Sequence, residues 1–253
     1  RGDRRNEGLM VHEIAHQWFG DSVTELKWPH VWLSEGFATY LTHLYNETTY
    51  GRELLVEGLE RDRRTVLRYF AERPELPLVP EQLTDPNEML NRNAYQKGAW
   101  VLHMLRRQVG EEAFRDGIRA YYDEFRNRNA LTRDLQQVME RISEQDLGWF
   151  FRQWTEEPGH PFLEGAWTWE AGSAVLDFEL HQVHPAGTVF RFPLDVAVVS
   201  SDGVRTAVTT VQVTEGTHTF SIPLDSEPSE VVLDPDTWLL FQGGSVERKG
   251  TPR

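Results

Sequence analysis

The sequence predicts an α+β fold with more than one domain, in which a mostly helical region is followed by a β-sandwich. Two observations support this prediction. Apolar residues recur at helical spacing over residues 8–154, whereas after the Gly-His-Pro run at residues 159–161 they alternate with polar residues at a period of two. We therefore expect a helical region at residues 1–158, a β-sandwich domain at residues 159–244 and a polar, frayed tail at residues 245–253.

The helical region contains five stretches with the apolar spacing of amphipathic helices, at residues 9–19, 54–70, 100–105, 114–125 and 135–142. Gly110 ends the third of these patterns, and Thr132 is placed to cap the N-terminus of the fifth. Four prolines between residues 72 and 93 predict a long ordered loop.

The second region contains six short runs typical of β-strands, at residues 167–170, 174–181, 190–199, 204–214, 217–223 and 230–233. Clusters of Gly, Pro, Asp and Ser separate them. Leu176, Phe178 and Leu180 alternate with charged or polar residues, so we expect these three side chains to face the interior of the sandwich. His181 and His184 are three residues apart on such a run and therefore point to opposite sides, which excludes a shared metal and leaves surface or packing roles.

The composition is that of a folded chain with an acidic surface. Hydrophobic residues make up 39% of the 253 residues and aromatic residues 11%, which is enough for a packed core. Lys and Arg number 26 against 40 Asp and Glu, so the formal net charge is −14, and such a surface disfavours nucleic-acid binding. No segment has the roughly 18 consecutive apolar residues of a transmembrane helix.

Two further features of the composition bear on function. The chain has no cysteine, so disulfides and thiolate zinc ligands are excluded, and a metal must be held by His and carboxylate side chains. The lack of cysteine does not fix the cellular compartment. The chain begins at Arg1 without an initiator Met or a signal-peptide pattern, so we expect it to be part of a longer protein whose upstream sequence is missing.

Residues 12–16 read His-Glu-Ile-Ala-His, the HExxH pattern of a zinc-binding helix. Positions i and i+4 of a helix lie on one face, so His12 and His16 can both reach one Zn²⁺ ion. Glu13 projects from the adjacent edge, where it can act on a metal-activated water without binding the metal. Taken alone, the pattern also fits a surface helix with two exposed histidines and a solvated glutamate.

A catalytic zinc needs a third protein ligand and an open fourth position. Eighteen residues separate His16 from Glu35, which leaves room for the first helix to end near Gly20 and a second helix to start near Trp32. An antiparallel pair of helices would bring Glu35 back to the metal. With Glu35 in place, the sequence favours a zinc site over the solvated surface helix.

The motif residues resemble a known family over essentially the whole chain. Residues 11–21, VHEIAHQWFGD, resemble the signature of the M1-family zinc aminopeptidases, usually HExxHxWFG followed by Asn or Asp. Residues 32–38, WLSEGFA, resemble the family's WLNEGFA, with Ser34 where Asn is usual. Residues 94–98, AYQKG, resemble its Tyr-x-Lys-Gly helix, and similar landmarks follow at residues 132–135, 150–154 and 159–161. The chain is thus similar to an aminopeptidase N-like catalytic core, truncated upstream and followed by a small β domain.

This resemblance implies specific roles. The helical part would have the thermolysin-like fold of the gluzincins, with one zinc ion held by His12, His16 and Glu35 and with Glu13 as general base and then acid. Tyr95 would stabilise the tetrahedral intermediate through its hydroxyl group. Without the family, Tyr95 reads as a core or turn tyrosine. The implied activity is the release of amino-terminal residues from peptides with a free N-terminus.

One departure from the family limits what the chain is expected to do alone. Members bind the substrate amine with a Gly-x-Met-Glu-Asn motif upstream of HExxH, and the eleven residues before His12 do not contain it. We therefore expect the parent protein to be the aminopeptidase and this chain alone to be weakly active or inactive.

Two alternatives remain open. One is another zinc hydrolase on the same scaffold, such as an endopeptidase or an epoxide hydrolase. The other is a non-catalytic binding module whose working part is the β-sandwich, although the presence of both Glu13 and Tyr95 argues against it.

Overall fold

The computed structural model describes residues 6–201 and 203–249 and has the predicted α+β fold. It divides into two compact units, Arg1–Gly159 and His160–Arg253. The first unit is mainly helical, and the second consists of β-strands. The predicted fold class is confirmed.

The helices of the first unit are α1 Glu7–Ala15, α2 Trp32–Tyr50, α3 Arg52–Glu72, α4 Pro86–Met89, α5 Gly98–Val109, α6 Glu111–Phe125, α7 Thr132–Ser143 and α8 Gly148–Phe151. A short π-helical segment at Asn93–Lys97 leads into α5, and another at Arg152–Glu156 follows α8. Trp28–His30 forms a 3₁₀ turn before α2. Strands β1 (Val23–Glu25) and β2 (Arg128–Ala130) pair in parallel.

Helix α2 is the centre of the first unit, since it packs against α1, α3 and α5. Its buried aromatic side chains, Trp32, Phe37 and Tyr40, are 2% exposed or less. The indole of Trp32 donates a hydrogen bond to the Thr132 hydroxyl at 2.9 Å, which ties the start of α2 to α7. Because α2 is fixed on several sides, it provides a rigid base for any residue in its first turns.

Two local predictions in this unit are wrong, and one pair of strands was not predicted. Thr132 does not cap α7: its hydroxyl is occupied by Trp32 and lies 2.8 Å from Nδ1 of His30, while Asp134 accepts the hydrogen bond from the backbone of Leu131. The segment predicted as a continuous loop includes the short helix α4, whose first turn is capped by Asp85. The β1–β2 pair has no strand signal in the sequence because each strand is only three residues long.

The second unit contains two sheets. Its strands are β3 Phe162–Glu170, β4 Val175–Gln182, β5 Phe192–Val199, β6 Arg205–Val213, β7 Thr217–Pro223, β8 Glu230–Leu233 and β9 Gln242–Arg248. They form a four-stranded sheet in the order β7-β4-β3-β9 and a three-stranded sheet in the order β6-β5-β8. Leu176, Phe178 and Leu180 are buried, as the alternation on β4 predicts. Burial alternates along β4, whereas β5 is buried at most of its positions.

The prediction of a frayed tail from residue 245 is wrong for the part that the structure describes. Residues 242–248 form β9, which pairs in parallel with β3. Hydrogen bonding to the sheet orders this polar sequence, and such pairing is not visible in a local hydrophobic pattern. Residues 250–253 lie outside the described residues.

In the part of the chain that the structure covers, every helix is too short or too polar to cross a membrane.

Candidate metal centre

Helices α1 and α2 bring His12, His16 and Glu35 together. Nε2 of His12 and Nε2 of His16 each lie 3.3 Å from Oε2 of Glu35, and the two nitrogens lie 3.1 Å apart. Three ligands of a tetrahedral zinc ion at 2.0–2.1 Å would be separated by about 3.3–3.4 Å. The spacing of these three atoms, which we call the metal-ligand cluster, therefore matches the size of a zinc coordination shell.

Two imidazoles and a carboxylate are also the donor types that zinc accepts at catalytic sites. Among the described residues, this is the single group of three His, Asp or Glu side chains whose ligand atoms all lie within 4.8 Å of one another. Each of the three side chains is partly open to solvent, at 15–19% exposure, so a small molecule can reach the cluster.

The turn after α1 orients His16. Its Nδ1 lies 3.0 Å from the carbonyl oxygen of Phe19 and donates to it, which directs Nε2 toward the cluster. This close approach requires Gly20, whose φ is +131° and where an added Cβ atom would lie 2.8 Å from Nδ1 of His16. The glycine of the Trp-Phe-Gly run is thus explained by the position of the His16 ring.

Glu35 lies in the first turns of α2, and its neighbour Ser34 donates a 2.5 Å hydrogen bond to Glu25 on β1. Burial alone would raise the pKa of Glu35, but hydrogen bonds from His12, His16 and Tyr95 outweigh it and lower the pKa to about 2. The same contact with Glu35 raises the pKa of His16. The carboxylate is therefore ionised at neutral pH, as a metal ligand must be.

Tyr95 lies beside the cluster on the π-helical segment Asn93–Lys97. Its ring is parallel to that of His12 to within 15°, with the ring centres 6.1 Å apart. Burial, with a further contribution from the charge of Glu35, raises the pKa of Tyr95 to about 12. The hydroxyl therefore keeps its proton and can donate a hydrogen bond toward a developing negative charge.

A glycine-to-glycine contact sets the distance between the elements that carry Glu35 and Tyr95. An added Cβ atom on Gly36 would lie 3.0 Å from Gly98 Cα, and one on Gly98 would lie 3.0 Å from Gly36 Cα. Two main chains can approach this closely only if neither residue has a side chain. Sequence reasoning missed this role, although both glycines fall in the motifs at residues 32–38 and 94–98.

The remaining predicted site residue, Glu13, lies on α1 between His12 and His16 and is exposed. It is one residue from His12, so it borders the cluster without being part of it. His181 and His184 do not form a second site: His181 contacts Thr217, and His184 packs against the rings of Phe162 and Phe190.

Comparison with known proteins assigns the chain to a family. Residues 1–154 match the family model of the peptidase family M1 domain. The chain belongs to peptidase family M1. This match confirms the resemblance to family M1 that the sequence motifs indicate.

Similar proteins support the assignment. Aminopeptidase M1-C of Oryza sativa subsp. japonica is 31% identical over 163 residues, which cover 63% of this chain and 19% of that protein. Aminopeptidase N of Lactococcus lactis subsp. lactis is 30% identical over 169 residues, covering 61% and 19% respectively. Mitochondrial aminopeptidase 2 of Saccharomyces cerevisiae is 30% identical over 209 residues, covering 79% and 22%.

The fold also agrees with a solved structure. The crystal structure of Legionella pneumophila aminopeptidase A in complex with aspartic acid superposes with a TM-score of 0.76 at 20% identity. The match covers 97% of this chain and 27% of that one. This M1 chain thus spans about a fifth of the length of the curated relatives it matches.

Proposed function

We propose that this M1-family chain binds one Zn²⁺ ion through His12, His16 and Glu35 and carries the bond-cleaving residues of an aminopeptidase. The observation that supports the proposal most is the 3.1–3.3 Å spacing of the three ligand atoms, which fits a zinc ion. The three relatives described above are all named aminopeptidases.

Zinc, when bound, would act as a Lewis acid that activates water and polarises the peptide carbonyl. Glu13 borders the cluster and is not a ligand, so its carboxylate is free to take a proton from the attacking water and return it to the leaving amine. Tyr95 donates a hydrogen bond to the carbonyl oxygen as that atom gains negative charge. In this proposal Glu13 transfers protons, and Tyr95 stabilises the negative charge on the carbonyl oxygen.

The substrates of the parent protein are, in this proposal, peptides with a free N-terminus, from which it releases the first residue. The present chain lacks the upstream motif that binds the substrate amine in the family. It therefore holds the chemistry of the reaction without one of the groups that position the substrate.

Metal analysis of the purified chain tests the ligand assignment. We expect about one equivalent of zinc after loading, and a loss of that metal in His16→Ala, which removes one ligand. Glu13→Gln serves as the matched control because it alters the same helix and should keep the metal. A wild-type zinc content near zero would refute the site.

Hydrolysis of aminoacyl anilides tests the chemistry. In a longer form of the protein that has measurable turnover, Glu13→Gln should abolish hydrolysis while zinc stays bound. Anilides with a free amine should be cleaved, and the same compounds with an acetylated amine should not. Equal cleavage of free and acetylated substrates would indicate an endopeptidase, and hydrolysis of epoxides alone would indicate an epoxide hydrolase.

A further inference from the structure

Helix α1 carries two of the three ligands but makes little apolar contact with the rest of the described chain. Only Ala15 of this helix is buried. Leu9, Met10 and Ile14 are each more than half exposed, at 62%, 61% and 53%. Asn6, at the N-cap position of α1, makes no side-chain capping hydrogen bond. Hydrophobic burial therefore contributes little to fixing α1 on α2, and polar contacts carry a larger share.

The polar contact at the far end of α1 involves one carboxylate and two phenols. Oε1 of Glu7 accepts a 2.8 Å hydrogen bond from the hydroxyl of Tyr45 and a 2.6 Å hydrogen bond from the hydroxyl of Tyr50. The two rings meet edge to face, with their centres 6.2 Å apart. Glu7 is in the first turn of α1, and the two tyrosines are in the last turns of α2. We call these three residues the Glu7 clamp.

The clamp and the metal-ligand cluster lie at opposite ends of an antiparallel helix pair. Glu7 contacts Tyr45 at one end, and His12 and His16 contact Glu35 at the other. Between them, a Cβ atom on Gly8 would lie 3.9 Å from Thr42, an ordinary van der Waals distance. The two helices therefore touch along one defined register.

The cluster depends on this register because metal binding tolerates only small changes in the positions of the ligand atoms. A shift of one residue moves a helix by about 1.5 Å along its axis, whereas ligand distances must hold to within about 0.2 Å. Two hydrogen bonds to one carboxylate at the end of α1 oppose both sliding and rotation of the helix. Bonds to a charged group are also among the stronger hydrogen bonds in proteins.

We propose that the Glu7 clamp is a positioning device, which holds α1 on α2 in the register that brings His12 and His16 to Glu35. The clamp touches neither metal nor substrate and acts through the helix. The inference deepens the proposed function, on which it rests for the identity of the metal. It predicts that the chain binds zinc more weakly when the two tyrosine hydroxyl groups are removed.

The test is the double variant Tyr45→Phe/Tyr50→Phe in the 253-residue chain. Phenylalanine keeps the rings and the helix, whereas Glu7→Ala would also remove a negative charge that stabilises the first turn of α1. We expect the zinc dissociation constant, measured by chelator competition, to rise about tenfold, in line with the loss of charge-assisted hydrogen bonds. Backbone amides of α1 should also exchange hydrogen faster in the metal-free chain.

Two further variants separate positioning from general loss of stability. Tyr69→Phe removes a half-buried hydroxyl on α3 that makes no hydrogen bond with the residues that the structure describes, and it should leave zinc affinity and α1 exchange unchanged. Glu7→Gln keeps an acceptor oxygen and should fall between wild type and the double variant. The visible spectrum of the Co²⁺-loaded chain should change in the double variant and stay unchanged in Tyr69→Phe, because it reports ligand geometry and not stability.

The outcomes separate this inference from the proposed function. If the double variant binds zinc as wild type does, with the same α1 exchange and the same Co²⁺ spectrum, the clamp does not position the helix. If wild type binds no zinc, the proposed function fails, and α1 exchange in the metal-free chain still decides the clamp: faster exchange in the double variant supports it, and unchanged exchange overturns it.

Discussion

At the scale of single residues, Tyr95 combines a retained proton with a place beside the metal-ligand cluster. Its raised pKa of about 12 and its contact with Glu35 make it a hydrogen-bond donor over the whole physiological pH range. Tyr95→Phe should therefore slow hydrolysis by about 10²–10³-fold, as for the loss of one oxyanion donor. Zinc content should not change, since Tyr95 is not a ligand in the proposal.

The measurement is steady-state turnover of an aminoacyl anilide, with zinc content determined on the same samples. Tyr69→Phe is the matched control and should leave turnover unchanged. If Tyr95→Phe lost zinc together with activity, the tyrosine would have a structural role at the site and not the proposed one.

Glu35 gives a prediction for the metal-free chain at acid pH. Its pKa is lowered from the ordinary 4.5 to about 2, so the folded state favours the ionised carboxylate more than the unfolded state does. The stabilisation is therefore complete above pH 4.5 and is lost as the pH falls toward 2. In urea unfolding, the stability difference between wild type and Glu35→Gln should shrink over this interval. A difference that stays constant from pH 6 to pH 3 would contradict the ion pairing.

Gly20 tests how tightly the turn after α1 orients His16. Gly20→Ala places a methyl group 2.8 Å from Nδ1 of the histidine and forces alanine to a φ of +131°. We expect a loss of about 1–3 kcal/mol of stability and weaker zinc binding. Gly8→Ala is the control, because its Cβ would lie 3.9 Å from the nearest atom. Equal zinc affinity in the two variants would show that the ring can shift without cost.

The residues of the candidate site were largely predictable from the sequence, but the neighbouring residues that position them were not. His12, Glu13, His16 and Glu35 follow from a spacing that places them on two neighbouring helices, and the structure brings the three proposed ligands within 3.3 Å of one another. Tyr95 came from the family resemblance alone. Glu25, which accepts the hydrogen bond of Ser34, is nine residues away along the chain and reaches it only through the fold.

At the scale of elements, helices with a sustained apolar period were the most predictable. The patterns at residues 54–70 and 114–125 correspond to Arg52–Glu72 and Glu111–Phe125. Elements whose stability comes from distant partners were missed. β9 is polar and is held by β3, and the Thr132 hydroxyl serves His30 and Trp32 across the fold instead of its own helix.

The contact between Gly36 and Gly98 leads to a prediction about two elements at once. Gly98→Ala puts a methyl group 3.0 Å from the backbone of α2, and backbone atoms cannot turn aside as a side chain can. We expect a loss of about 1–3 kcal/mol in the free energy of unfolding and slower turnover, because Tyr95 moves away from Glu35. Urea unfolding and anilide hydrolysis measure the two effects. Gly8→Ala, which meets no close contact, should show neither.

At the scale of the whole molecule, the change of hydrophobic period near residue 161 predicted a helical region followed by strands, and the fold class followed from it. The pairing of the strands did not follow, because strand order depends on contacts between distant segments. β3 lies between β4 and β9, so the first and last strands of the second unit are paired. A local hydrophobic pattern does not indicate such a pairing.

The last prediction concerns the chain alone and the longer protein of which, on our proposal, it is a part. The chain spans about a fifth of the length of its relatives, and on our proposal the motif that binds the substrate amine is not among its 253 residues. Orientation of a bound substrate can contribute about 7–11 kcal/mol to lowering a barrier. The zinc-loaded chain should therefore hydrolyse aminoacyl anilides several orders of magnitude more slowly than a form extended upstream, with equal zinc content in both. Rapid turnover by the chain alone, with a preference for a free amine, would show that the group binding the amine lies within residues 1–253.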